Sequence, residues 1–89
     1  MYLVLYGKPG CHLCEGLEEC LRQQTAFALT LEVRDITTQP DWWQRYQYEI
    51  PVVHQRLGNQ DIPLPRPAGR LTPTLLERWL RRHLPTEHP

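Results

Sequence analysis

The hydrophobic pattern of the chain changes period at its first turn, and this change predicts the first two elements. Tyr2–Tyr6 is a continuous apolar block that is rich in β-formers and too short for a helix, so it predicts a buried strand. Gly7, Pro9 and Gly10 then interrupt the block. From Cys11 onward the apolar residues recur at helical spacing, and the charged residues fall on other faces. The apolar positions of this predicted helix are Leu13, Leu17, Cys20 and Leu21.

The next segment predicts a second strand and a short second helix. Polarity alternates over residues 29–34, which predicts a strand with one buried face. Its apolar positions are Leu29, Leu31 and Val33. Because a helix connects the two strands, we expect them to be parallel. Pro40 suits the first turn of the second helix. We interpret the aromatic residues of that helix as core, with a ligand platform as the alternative; they are Trp42, Trp43 and Tyr46.

A β-hairpin is predicted after the second helix. Val52–Arg56 is an apolar strand preceded by Pro51, and Gly58 and Asn59 form a turn in which we expect both residues to have positive φ. In the run 61–67 every second residue from position 63 is proline, so the missing N–H groups lie along one side. This pattern fits an edge strand, with a polyproline-like loop as the alternative. The residues expected to pair are Ile62, Leu64 and Arg66.

A third helix closes the predicted domain. Thr72 is a good N-cap and Pro73 a good first residue. The expected buried stripe consists of Leu75, Leu76, Trp79, Leu80 and Leu84. Pro85 ends the helix, so we expect a single domain over residues 1–84 and a frayed tail over residues 85–89.

Charge and composition restrict the class of protein. Ten basic and ten acidic residues balance, so no net field attracts nucleic acid or an acidic membrane. Three cysteines are too few for a disulfide-scaffolded secreted module. The start of the chain lacks the pattern of a signal peptide, and no run approaches the roughly 18 apolar residues of a membrane span. We therefore expect a cytoplasmic monomer.

The candidate chemistry lies at the start of the first predicted helix, where Cys11 and Cys14 form a Cys-x-x-Cys motif. Unpartnered N–H groups and the helix dipole stabilise a thiolate there, and such sites lower a cysteine pKa from about 8.5 to roughly 3.5–7.5. Lys8 and His12 flank Cys11 and add positive charge, His12 only when protonated. Cys11 is therefore the predicted attacking thiol. Cys14, one turn further into the helix, is the predicted resolving thiol.

The predicted element order, the Cys-x-x-Cys motif and the proline that leads the third strand together resemble the thioredoxin fold in its glutaredoxin-like form. The stretches that carry the resemblance are Tyr6-x-Lys8-Pro9-x-Cys11-x-x-Cys14 and Ile50-Pro51-Val52. Three sequence segments are similar to those of a branch of short glutaredoxin-like proteins without an established substrate. These segments are GCHLCE, RYQYEIPVV and LTPTLLERWL. The resemblance covers Tyr2 to about Leu84. It implies an α/β, glutaredoxin-type βαβαββα fold with a four-stranded mixed sheet flanked by three helices.

The resemblance also implies roles for individual residues. Cys11 matches the nucleophile and Cys14 the resolving cysteine. Lys8 matches a lysine that stabilises the thiolate and meets a glutathione carboxylate. Pro51 matches a cis-proline that faces the dithiol. Ile50 matches the residue whose backbone pairs with a bound peptide or glutathione like an added strand.

Two departures from the family pattern concern the thiols and glutathione. His12-Leu13 stands between the cysteines where glutaredoxins usually have Pro-Tyr. His12 either favours the Cys11 thiolate or is exposed and has little effect. At the glycine turn that holds glutathione, only Gly69 aligns and no acid follows. The sequence therefore predicts no bound cofactor and does not decide whether glutathione is a co-substrate.

The leading hypothesis is a thiol–disulfide oxidoreductase that acts on a disulfide-containing protein or a small thiol compound through Cys11 and Cys14. One alternative is a binding module of the same fold whose redox activity is incidental. Another is a zinc site that uses Cys11, Cys14, Cys20 and a histidine, with an iron–sulfur cluster bridged between two subunits through Cys11 and glutathione as a variant. The pattern lacks a second ligand pair, so we expect no metal. We interpret Cys20 as a buried apolar residue, with a regulatory partner for Cys14 as the alternative.

Overall fold

The computed structural model describes residues 1–67 and 71–83, and within them the predicted element order is confirmed. Gly69, Leu84 and the predicted tail lie outside the described residues. The strands are β1 (Tyr2–Gly7), β2 (Thr30–Asp35), β3 (Val52–Leu57) and β4 (Gln60–Pro63). The helices are α1 (His12–Gln23), α2 (Pro40–Tyr46) and α3 (Pro73–His83), with one 3₁₀ turn at Ile36–Thr38.

The described strands form one mixed sheet in the order β2-β1-β3-β4. β1 is parallel to β2 and antiparallel to β3, and β3 is antiparallel to β4. The parallel pair follows from the helical crossover through α1. β1 is central, and its continuous apolar sequence fits a strand that is covered on both faces. The predicted four-stranded mixed sheet with three flanking helices is thus confirmed in the described residues.

Alternate residues of β1 divide the core into two parts. Leu3 and Leu5 pack under α1 and α3, which contribute Leu17, Leu21, Leu76 and Leu80. Val4 and Tyr6 point to the other face, where Ile36, Trp42 and Tyr46 cover them. Period-two alternation in a strand produces this division, because successive side chains point to opposite faces. The core interpretation of Trp42 and Tyr46 is confirmed.

Four residues that the pattern placed in the core are more exposed than expected. Val33 is exposed because β2 is an edge strand of the sheet. Trp43 points away from the sheet that Trp42 and Tyr46 cover. Leu13 and Leu75 lie in the first turns of their helices, beyond the layer of buried side chains. The predictions for these four residues were wrong.

The hairpin is present, with two corrections. In its two-residue turn only Gly58 has positive φ, at 61°, so the expectation for Asn59 was wrong; one positive φ at the first central position is typical of a type II′ turn. β4 ends at Pro63, earlier than predicted. Ile62 pairs with β3 and the Leu64 N–H donates to the Val53 carbonyl at 2.9 Å, as expected of an edge strand. Arg66 lies beyond the strand and contacts the chain through its side chain instead.

No helix in the described part of the chain is both long and apolar enough to cross a membrane.

Candidate dithiol site

Cys11 caps the N-terminus of α1. Its backbone is extended (φ −86°, ψ 103°), helical geometry begins at His12, and the Cys14 N–H donates to the Cys11 sulfur at 3.2 Å. This contact satisfies one of the N–H groups that a helix start leaves without a partner. The Cys11 sulfur therefore lies where a negative charge is stabilised by a hydrogen bond and by the helix dipole. The two cysteines form a disulfide with a Cα–Cα separation of 5.3 Å.

The two sulfurs differ in accessibility. Cys11 is half-buried, whereas Cys14 is 5% exposed and packs against the end of β1. The close contact there is with Gly7, at which an added Cβ would lie 2.9 Å from the Cys14 Cβ and 3.2 Å from its sulfur. Gly7 therefore makes room for Cys14. Sequence reasoning treated Gly7 only as a strand breaker. The available signal was a glycine that ends a buried strand just before the two cysteines.

The predicted cis-proline lies at the same edge of the sheet. The Ile50–Pro51 bond is cis, as the family resemblance implied. Tyr6 pairs with Val52, so the antiparallel register places Pro51 beside Gly7, which Cys14 contacts from α1. Pro51 is buried. The structure thus brings Pro51 and the dithiol to the same end of β1.

Ile50 already uses both of its main-chain groups within the chain. Its N–H donates to the Tyr46 carbonyl at 3.1 Å, and its carbonyl accepts from Nη2 of Arg66 at 2.9 Å. A carbonyl oxygen has two lone pairs, so one remains for a ligand. The pairing of Ile50 with a bound peptide stays a prediction. Sequence reasoning missed Arg66 as a site residue; the signal was a long cationic side chain between Pro65 and Pro67 near the end of the edge segment.

The turn before Cys11 is held by local hydrogen bonds. The Cys11 N–H donates to the Lys8 carbonyl at 3.2 Å, and the Gly10 N–H donates to a Glu15 carboxylate oxygen at 3.3 Å. Gly10 has φ 83°, a conformation that glycine adopts without steric cost. The Lys8 ammonium lies 5.6 Å from the centre of the Trp43 ring, within the range of a cation–π contact. The turn thus keeps a cation near the dithiol.

His12 is exposed in the first turn of α1, beside the exposed Leu13. The assigned effects of Lys8 and His12 on the thiolate stay predictions. The predicted substrate contact at Gly69 lies outside the described residues.

A cleft of about 220 Å³ reaches Cys14 from the β2 side. Its lining is mostly apolar, with charged residues contributed by Lys8, Glu15, Glu18 and Asp35. Hydrogen bonds from the Thr37 side chain and backbone lower the pKa of Asp35, so this carboxyl is ionised at neutral pH. The cleft gives water and charged groups a route to the buried sulfur.

The aromatic cluster on the opposite face is packed rather than open. The guanidinium of Arg34 lies 5.4 Å from the Tyr6 ring centre and donates to the Tyr6 hydroxyl at 2.7 Å. Tyr6 also contacts Tyr46 and His54, with ring centres 4.5 and 5.2 Å away. Burial lowers the pKa of His54 and raises that of Tyr6. These contacts cover the faces of the aromatic rings on which a ligand would have to stack.

The third cysteine lies apart from the dithiol. Cys20 is half-buried, and its sulfur contacts the Leu71 carbonyl at 3.9 Å. Within residues 1–67 and 71–83, no three His, Cys, Asp or Glu side chains converge in an arrangement that fits a metal ion.

Known proteins are similar to this chain in sequence and in fold. A family profile described as a glutaredoxin-like domain (DUF836) matches residues 2–81. The structural genomics target protein XcR50 from X. campestris is similar in structure, with a TM-score of 0.61 and 26% identity over 90% of this chain and 96% of that one. Thioredoxin 1 from the thermophilic eubacterium Thermosipho africanus has a TM-score of 0.52 and 18% identity over 92% of this chain and 97% of its own. The thioredoxin 1 likeness concerns the fold alone.

Proposed function

The chain belongs to the glutaredoxin-like domain family, and on that premise we propose that it is a thiol–disulfide oxidoreductase. The observation that supports this most is the Cys11 sulfur at the N-cap of α1, where it accepts the Cys14 N–H and lies within bonding distance of the Cys14 sulfur. Two cysteines so placed hold two electrons between them and need no bound cofactor. A reducing cytoplasm would keep the pair available as a dithiol.

In the first step, the Cys11 thiolate attacks one sulfur of the substrate disulfide. A Cys11–substrate disulfide forms, the substrate S–S bond breaks, and the other substrate sulfur leaves as a thiolate that takes up a proton. The hydrogen bond from the Cys14 N–H and the dipole of α1 favour the thiolate before the attack. Lys8 adds positive charge from the preceding turn.

In the second step, the Cys14 thiolate attacks the Cys11 sulfur. The Cys11–Cys14 disulfide forms and the remaining substrate thiolate leaves, so the substrate has gained two electrons and the protein has lost two. The close approach of Cys14 to Gly7 holds the second sulfur within reach of the first. Cys14 must lose its proton before it attacks, and the cleft beside it, which Glu15 and Glu18 also line, provides an exit.

Paired reduction assays test the proposal, with insulin as a protein disulfide and a glutathione mixed disulfide as a small one. Cys11→Ser should abolish both activities, and Cys14→Ser should accumulate a mixed disulfide at Cys11. Cys20→Ser is the matched control and should retain activity, because its sulfur faces Leu71. A wild-type protein that reduces neither substrate faster in single turnover than free thiols do would contradict the proposal. It would favour a binding module of the same fold.

A further inference from the structure

The segment after β4 carries a cation to the edge of the dithiol site. Leu64 bonds to the Val53 carbonyl, so the chain continues antiparallel to β3 toward Pro51. Two residues later, Nη2 of Arg66 donates to the Ile50 carbonyl at 2.9 Å. Pro65 and Pro67 flank Arg66 and fix their own φ near −65°, which stiffens the main chain that holds the cation.

Arg66 uses little of its bonding capacity in this contact. A guanidinium has five N–H donors, and a single hydrogen bond to Ile50 engages one of them. Four other arginines of the chain pair with a carboxylate within 4.0 Å; they are Arg22, Arg34, Arg56 and Arg81. In residues 1–67 and 71–83, no carboxylate lies that close to Arg66, which is exposed. Its charge and most of its donors therefore face solvent beside Pro51.

The main-chain contacts of Ile50 suggest what these donors bind. An added strand needs a main-chain N–H to donate to it, and the Ile50 N–H is already bonded to Tyr46. Arg66 supplies donors at the same residue, in a planar fork that matches a carboxylate. We propose that Arg66 binds a carboxylate that lies next to the reacting disulfide of the substrate. This inference rests on the proposed function, because the disulfide reacts at Cys11.

The surroundings favour a polypeptide as the source of the carboxylate. Leu13, between the two cysteines, is 64% exposed, and Tyr48, two residues before Ile50, is 90% exposed. Lys8 adds a second exposed cation in the turn before Cys11. Leu13 and Lys8 lie within three residues of Cys11 in the sequence, and Tyr48 lies within two of Ile50. Exposed apolar and cationic side chains on these segments suit an acidic polypeptide with an apolar residue. The substrate class is therefore an acidic polypeptide disulfide.

A binding experiment with unreactive peptides tests the site separately from catalysis. Two end-capped peptides differ only in Asp or Asn next to a serine that replaces the reacting cysteine, and each is titrated into the oxidised protein. We expect the Asp peptide to bind roughly fivefold more tightly at low salt, with a smaller preference at high salt because exposed charges are screened.

Charge-matched variants show which arginine is responsible. Arg66→Gln should abolish the preference, so that the two peptides bind with about equal affinity. Arg66→Lys should retain part of the preference, because lysine keeps the positive charge but lacks the planar pair of N–H donors. Arg82→Gln removes the same charge from the last turn of α3 and should leave the preference intact. NMR of the wild-type protein gives a measurement that needs no variant. The Nε resonance of Arg66 should shift when the Asp peptide is added and should stay in place when the Asn peptide is added.

Several outcomes overturn the inference: equal binding of both peptides, a preference that survives Arg66→Gln, or an equal loss in Arg82→Gln. Arg66-dependent binding of a small dicarboxylate disulfide without any preference for the Asp peptide would overturn the polypeptide assignment. If the two peptides bind equally and the protein still reduces insulin, the carboxylate site is refuted and the proposed oxidoreductase activity is not. An Arg66-dependent preference in a protein that reduces no disulfide supports the site and refutes the oxidoreductase.

Discussion

Gly7 and Cys14 lie so close that no side chain fits between them: a Cβ at Gly7 would lie 2.9 Å from that of Cys14. The contact joins the end of the central strand to the first turn of α1, and it positions the Cys14 sulfur. A glycine at the end of β1 is therefore a requirement of the dithiol geometry.

The first prediction concerns this contact. Gly7→Ala should destabilise the protein by about 1–3 kcal/mol, since overpacking a buried contact displaces backbone or side chain. It should also slow the resolution of mixed disulfides, because Cys14 moves. Urea unfolding and single-turnover kinetics measure the two effects.

Gly16 offers a matched control for that substitution. It lies in α1, and a Cβ there meets no atom within 4 Å. Gly16→Ala should therefore stabilise the protein by about 0.5–1 kcal/mol, the usual helical preference for alanine. Equal effects of the two substitutions would show that the Gly7 contact has no special importance.

The second prediction concerns Lys8. Substituting methionine should lower the rate of Cys11 alkylation at pH 7 roughly two- to threefold, a typical effect for one exposed charge. Lys8→Arg should restore the rate, and Trp43→Ala should show part of the loss, because the Trp43 ring holds the ammonium near the turn. An unchanged rate in Lys8→Met would remove Lys8 from the list of groups that tune the thiol.

The third prediction concerns His54 and pH. Burial lowers the pKa of His54, although Asp61 acts in the opposite direction, and its Nδ1 is buried without a partner in the described chain. The unfolded state therefore binds a proton more readily than the folded state. Neutral His54 contributes its full stabilisation at pH values above its pKa in the unfolded state, which is about 6.5. This contribution is lost as the pH falls from there toward the pKa of His54 in the folded state.

Urea midpoints measured between pH 7.5 and 5 should accordingly decrease with falling pH in the wild type, and the decrease should be smaller in His54→Gln. Parallel curves for the two proteins would assign the acid sensitivity to other groups.

Much of the fold was predictable from local pattern. The continuous apolar run of β1 and the alternation of β2 each follow from one strong signal, and Pro40 and Pro73 mark the starts of two helices. The exposed residues were not predictable, because their exposure depends on neighbours. Val33 alternates correctly but lies on an edge strand, and Leu13 has the correct helical spacing but lies above the core.

The candidate site was predictable where its chemistry is local. Cys11 and Cys14 follow from a short motif and Pro51 follows from the family resemblance, and the structure brings them to the same end of β1. The contact of Arg66 with Ile50 joins residues sixteen positions apart and depends on the conformation of a side chain beyond the end of β4, which no pattern in the sequence specifies.

The ionisation of Cys11 in the reduced protein tests the proposed chemistry most directly. A Cys14→Ser, Cys20→Ser variant leaves one thiol and keeps the N–H at position 14, and the rate of iodoacetamide alkylation is followed as a function of pH. A thiolate stabilised by the start of α1 should ionise with a pKa below about 7.5. A pKa near 8.5, the value of free cysteine, would contradict the assignment of Cys11 as the nucleophile.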